Sequence, residues 1–311
     1  MYYIIGMDGG GTKTHCIVTN GEGLKLYECN GSASNFLVIG TENVAETLFN
    51  LIEECKNHLN VEYSDFEAIL IGSTGAGRRS DAEKLERDFN KYSQKAGVEF
   101  NIFRVESDAR IALEGAFSGK PGSILIAGTG SIMFGKDADG NIHRVGGFGR
   151  FLGDEGSGYV IGRKGLVAVS KEFDGRGPAT LISKQVDEKF GINSQEILIT
   201  EIYKNNFDIA SVAPIVLAAA EKNDDSALKI IDEETDELIL HIRSMTKKIN
   251  QPVLNLAFIG GIISNDNIYS QTLRKKIKEL LPTVNLKLPD FPPEMGAVLM
   301  AKELLNKKYY T

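Results

Sequence analysis

Near its start the chain runs MDGGGTKT (7–14), which places an acid, three glycines, two threonines and a lysine within eight residues. Successive glycines let backbone N–H groups turn into a concave nest for anionic oxygen. Gly10, Gly11, Thr12 and Lys13 would supply such contacts. Asp8, at the end of an apolar strand, could hold Mg²⁺ directly or through water. A Walker A loop is the first competing reading, but Thr12 separates Gly11 from Lys13 and no helix pattern follows. A dinucleotide fingerprint fails for the same reason, since a strand and hairpin come next. A phosphate-binding β-hairpin remains, set against a plain glycine turn. A second loop, Gly128-Thr129-Gly130-Ser131, ends a matching strand pair. Two such loops favour a nucleotide gripped between two related domains.

Other residues could serve a polyhydroxylated substrate. Asn35 lies in the Gly/Ser/Asn loop SASNFL (32–37), and its amide carries both donor and acceptor. It could equally cap a turn. GGFGRFLGDEGSG (146–158) holds Gly147, the aromatic Phe148 and the acidic pair Asp154-Glu155. Close backbone approach, a stacking face and bidentate acceptors suit a sugar ring; Asp154 could instead cap a helix running from Ser157. Ser107 reads as an N-cap, which puts Asp108 in a helical first turn where an acid complements the dipole.

These residues need strands and helices to carry them. The pattern is a meander (3–7, 12–19, 24–29), an amphipathic helix over 41–59, a strand over 66–71 and a helix over 81–96. A strand over 98–105 and a helix over 107–117 follow. A turn at Gly119-Lys120-Pro121-Gly122 marks a domain boundary, after which IIGMDGGGT (4–12) is echoed by ILIAGTGSI (124–132) and by LAFIGGIIS (256–264). Leu228, Ile231, Thr235, Leu238, Ile242, Met245 and Ile249 alternate in spacings of three and four, as one long helix on its own sheet requires. The expected domains are therefore 1–118 and 119–311, with a helix at 293–306 connecting them. Small residues on it (Gly296, Ala297, Ala301) and on 107–117 (Ala109, Ala112, Gly115, Ala116) would let helices cross closely at a hinge.

Composition narrows the function. The chain has 311 residues, 35 Lys+Arg, 42 Asp+Glu and a net charge of −7. That balance argues against nucleic-acid or anionic-membrane partners. No apolar run reaches bilayer length and the N-terminus lacks a basic leader, so a cytoplasmic protein is expected. Cys16, Cys29 and Cys55 form an odd set without metal-ligand spacing, which excludes a disulfide framework. His15 and His143 read as strand residues, His58 and His241 as surface helix residues. Arg78-Arg79 reads as a solvated loop pair.

MDGGGTKT, SASNFL, ESDAR (106–110), AGTGS (127–131), GGFGRFLGDEGSG and IGGIIS (259–264) occur in an order that resembles N-acetylglucosamine kinases of the BadF/BadG/BcrA/BcrD ATPase-like group, within the actin/hexokinase/Hsp70 superfamily. The resemblance covers nearly the whole chain. It implies an α/β protein of two ribonuclease H-like domains with a cleft and hinge, using ATP and Mg²⁺. It implies Asp108 as the base for a sugar 6-hydroxyl. Asn35, Ser131, Gly147, Phe148, Asp154 and Glu155 would contact the sugar. Gly260 and Gly261 would approach adenosine, and Ala210 aligns with a position near the nucleotide. The chain departs from the animal enzymes at Leu37 and Phe148, where they carry tryptophan, and at Ile132, where they carry asparagine. These departures leave the choice of amino sugar open, since a roomier pocket could admit a bulkier 3-O-substituted sugar such as N-acetylmuramic acid. The superfamily often dimerises, so a homodimer stays open. The alternatives are an ATPase activator of acyl-CoA dehydratases or reductases, against which the cysteine positions count, and a non-catalytic sugar sensor.

Overall fold

A computed structural model describes residues 2–310. The chain divides into two compact units, Met1–Pro121 with Leu288–Thr311, and Gly122–Lys287. The first carries β1 (Tyr3–Gly9), β2 (Lys13–Asn20), β3 (Lys25–Ser32), α1 (Phe36–Ile39), α2 (Thr41–Leu59), β4 (Phe66–Ser73), α3 (Arg79–Lys95), β5 (Phe103–Ser107) and α4 (Asp108–Ala116). Its sheet order is β3-β2-β1-β4-β5, antiparallel through the meander and parallel from β1 to β5. Residues alternate between faces along β1. Ile5 and Met7 therefore join the core under α2 and α3, and Ile4 joins a second core on the other face.

The second unit carries β6 (Gly122–Ala127), β7 (Ser131–Lys136), β8 (Ile142–Gly146), α5 (Gly158–Phe173), α6 (Leu181–Phe190), α7 (Gln195–Tyr203), α8 (Ala213–Glu221), α9 (Asp225–Ile249), β9 (Leu254–Ile259), α10 (Gly261–Ser264), α11 (Ile268–Leu280) and β10 (Val284–Lys287). Its order, β10-β9-β6-β7-β8, repeats the first sheet strand for strand and sense for sense. The duplication read from the sequence is thus a duplication of topology, and the two ribonuclease H-like sheets follow. LAFIGGIIS is β9 and its turn, the counterpart of β4. The expected long helix is α9, which begins at the Asp224 cap and stops where Asn250 turns left-handed.

Three expectations change. The sequence assigned 119–311 to the second domain, but α12 (Pro293–Tyr310) packs on α4, β1 and β4 of the first unit. Ala297, Val298, Ala301 and Leu305 complete the core around Ile4, Ala68, Leu70 and Ile111. The crossing is close because glycines sit at it: a Cβ on Gly296 would lie 1.9 Å from the Ile111 carbonyl oxygen, and one on Gly115 2.7 Å from that of Pro292. The strand expected from Val98 begins only at Phe103, because Val98 N–H still bonds back to the Ser93 carbonyl at the end of α3. Arg79 is no loop residue either; it opens α3 and bonds Glu83, Glu86 and the Val105 carbonyl. No helix among the described residues is long and apolar enough to cross a membrane.

Candidate functional site

In the first unit the parallel strands bring their carboxyl ends into one row. Asp8 pairs with Gly72, and Ser73 with Ser107. Ser107 caps α4 by accepting the Arg110 N–H, as expected, so Asp108 is the first helical residue. Its Oδ1 accepts the Ala109 N–H at 2.7 Å and its Oδ2 accepts the Thr74 hydroxyl at 2.9 Å. Two donors on opposite oxygens fix the half-buried carboxylate in one orientation. Thr74 was not singled out in the sequence. Its only signal was its place in GSTGAG (72–77), the glycine-rich step after β4.

Gly10 N–H bonds the Lys13 carbonyl at 3.0 Å and closes the β1–β2 turn, leaving Gly11, Thr12 and Lys13 exposed. Behind this turn Ser34 is a fully buried hub. Its N–H reaches the Gly10 carbonyl at 3.0 Å, its Oγ accepts the Thr14 hydroxyl at 2.9 Å, and its carbonyl accepts the Ser73 hydroxyl at 2.9 Å. A Cβ on Gly9 would strike that Oγ at 2.2 Å. The hub fixes Asn35, whose Oδ1 accepts the Leu37 N–H at 3.2 Å and lies against Gly75. The capping reading of Asn35 is the one its side chain shows.

Asp8 is perturbed. Burial, then the charges of Glu294 and Asp108, raise its pKa from 3.8 to about 6, while His15 and Lys13 offset part of this. His15 Nδ1 stands 3.0 Å from Glu294 on α12. Neither Glu294 nor His15 was assigned to the site from sequence.

In the second unit Gly128 N–H bonds the Gly130 carbonyl at 2.9 Å. The carbonyls of Gly128 and Thr129 accept Gly158 and Tyr159 N–H groups at 2.8 and 3.1 Å, so the loop is docked on the start of α5. Ser131 hydroxyl donates to the Glu155 carbonyl at 2.5 Å, and its N–H faces Asp154 Oδ1 at 3.5 Å. A Cβ on Gly130 would sit 3.1 Å from the Asp154 carboxylate. The glycine loop and the 146–158 loop are thus one packed piece. Ser157, not Asp154, caps α5; Asp154 adopts φ +59°, which turns its carboxylate back onto the glycine loop. Phe148 is 71% exposed, beside Gly147 in a left-handed conformation.

Two residues of α9 support this loop, and the sequence did not assign either. Glu234, 1% exposed, accepts the Gly156 N–H at 2.7 Å and pairs with Lys164 at 2.7 Å. His241 was expected on the surface but is 7% exposed; Nδ1 bonds the Glu237 carbonyl and Nε2 lies 3.9 Å from the Glu155 carboxylate.

A pocket of about 310 Å³ opens next to the glycine loop. Gly128, Thr129, Ala210 and Gly261 line it, with Pro214 and Leu217 among its apolar walls. Gly260 adopts φ +99°, and a Cβ there would meet the Ala127 carbonyl at 2.3 Å. The glycine loop lies at this mostly apolar pocket.

The model of the BadF/BadG/BcrA/BcrD ATPase family matches residues 5–301. An N-acetylmuramic acid/N-acetylglucosamine kinase from Clostridium acetobutylicum is 33% identical over 97% of this chain and 99% of its own. An N-acetyl-D-glucosamine kinase from Dictyostelium discoideum is 31% identical over 98% of each chain. A solved structure from Chromobacterium violaceum, provisionally assigned as an N-acetylglucosamine kinase, shares 25% identity and a TM-score of 0.75, covering 97% of this chain and 99% of that one.

Proposed function

This chain belongs to the BadF/BadG/BcrA/BcrD ATPase family, and from that premise we propose that it is an ATP-dependent kinase of an N-acetylated amino sugar. The substrate is N-acetylglucosamine, N-acetylmuramic acid or both, phosphorylated on the 6-hydroxyl. The two curated kinases, matched end to end, support the substrate class. The observation that carries the chemistry is Asp108, an oriented carboxylate held by Thr74 and Ala109 at the end of a strand.

Phosphoryl transfer needs positioning and charge more than covalent help. Asp108 accepts the proton of the 6-hydroxyl as that oxygen bonds the γ-phosphorus, and the bond from γ-phosphorus to the β,γ-bridging oxygen breaks to release ADP. Gly10, Gly11, Thr12 and Lys13 contact phosphate oxygens, with Gly128, Thr129 and Gly130 doing the same in the second unit. Ala210, Gly260 and Gly261 pack on adenosine. Asn35, Ser131, Gly147, Phe148, Asp154 and Glu155 hold the sugar. The residues fit Mg²⁺: Asp8, Glu294 and Asp108 crowd negative charge together, and Asp8 would hold the ion. Bound there, Mg²⁺ would neutralise charge on the phosphates. The activator-ATPase and sensor readings have no counterpart in the two kinases.

The test is ADP release with ATP and Mg²⁺ over a panel of N-acetylglucosamine, N-acetylmuramic acid, N-acetylmannosamine, glucosamine, glucose and no sugar. Turnover on an acetylated sugar, lowered about 10²–10⁴-fold in Asp108→Asn, is expected. Turnover equal with and without every sugar would sink the proposal.

A further inference from the structure

The cysteines, unremarkable in sequence spacing, converge. Cys16 on β2 and Cys29 on β3 are direct cross-strand partners, and Cys55 comes down onto them from α2. Cys55 Sγ lies 3.7 Å from Cys16 Sγ and 3.8 Å from Cys29 Sγ, and all three sulfurs lie within 4.8 Å of one another. No pair is bonded as a disulfide. Cys16 and Cys55 are wholly buried, and Cys29, on the outermost strand, is 7% exposed.

Three sulfurs at these separations outline a coordination triangle. A metal–sulfur distance of about 2.3 Å places sulfurs roughly 4 Å apart around a trigonal ion. Met7 continues the row, paired directly with Cys16 on β1 and packed in the same core. The surroundings are thus sulfur-rich, and thiolate with thioether selects soft cations. Among the described residues no histidine or carboxylate joins the three as a fourth ligand, and Cys16 and Cys55 are closed to bulk solvent. Structural Zn²⁺ calls for four ligands. A soft monovalent d¹⁰ ion accepts three.

We propose that Cys16, Cys29 and Cys55 form a binding site for one Cu⁺-class cation, entering on the Cys29 side. Each thiolate formed on binding releases one proton to solvent. The site lies in the core under α2, and its occupancy would tie that helix to the β2–β3 hairpin.

The test titrates the reduced full-length protein with Cu⁺ without oxygen against a chromogenic Cu⁺ chelator, with Zn²⁺ in a parallel arm. One Cu⁺ per chain is expected to be retained, with retention weakened at least about 100-fold in each of Cys16→Ser, Cys29→Ser and Cys55→Ser. X-ray absorption of the wild-type complex should show three sulfur neighbours, which needs no variant to fold. Alanine at the same positions replaces serine where a buried hydroxyl unfolds the chain. Copper surrendered entirely to the chelator, copper retained equally by all three variants, a copper shell of nitrogen or oxygen, or tighter retention of Zn²⁺ would each overturn the proposal.

Discussion

Replacing Asp8 with asparagine should make the protein more stable and less active. In the folded chain the Asp8 pKa is about 6 against 3.8 for the free side chain. The native state therefore keeps the proton to higher pH than the unfolded state does. Between about pH 4 and 6 the unfolded chain binds fewer protons, so stability falls as pH rises, then levels off. At about 1.4 kcal/mol for each pH unit, the ionised side chain costs up to about 3 kcal/mol above pH 7. Asparagine removes the charge at nearly the same volume. Its gain should be near zero at pH 4, growing to about 3 kcal/mol at pH 8. For a unit of this size that is roughly 6–12 °C in Tm. The assay is thermal unfolding of wild type and variant from pH 4 to 8 without divalent cations, read as the difference between them. Added Mg²⁺ with ATP should narrow the gap, and Mg²⁺-dependent turnover of the variant should fall by about 10²-fold or more. A difference that is flat across pH 4–7, or a variant less stable than wild type at pH 8, would refute the reasoning.

Thr74→Val removes one of the two donors on Asp108, and a hydrogen bond to a charged group is worth about 1.5–3 kcal/mol; kcat should fall at least about tenfold while KM for ATP holds. Gly296→Ala drives a methyl group into the Ile111 carbonyl, and urea unfolding should show a loss of about 3 kcal/mol, centred on the first unit. Glu234→Gln removes one of the two carboxylates on Lys164, which keeps Glu233, while leaving an acceptor for Gly156. It should cost about 1 kcal/mol and raise KM for the sugar more than KM for ATP, as steady-state kinetics on both substrates would read out.

Local chemistry was legible where neighbours in sequence are neighbours in space. The Ser107 cap with Asp108 behind it, the stripe of α9 and the paired glycine hairpins all depend on short spacings. Thr74 was not legible because it meets Asp108 only after β4 and β5 pair in parallel, 34 residues apart. Glu234 and His241 flank the apolar stripe of α9, and their position seven apart on its buried side was the available signal. It was outweighed by the habit of polar side chains to face water. The last helix was misassigned because its apolar pattern says that it is covered, not by which sheet.

The return of α12 to the first unit has a consequence for how the chain is made. A ribosome delivers residues 1–121 long before Ala297, Val298, Ala301 and Leu305 exist, so one face of the first sheet is covered only in part, by α4, throughout synthesis of the second unit. The inserted unit, contiguous from Gly122 to Lys287, can close its own core first. The first unit can be sealed only by the last two dozen residues. Any product cut short before them carries an open apolar face, which chaperones and proteases are built to notice. The final helix therefore ties closure of the first unit's core to completed synthesis of the second unit.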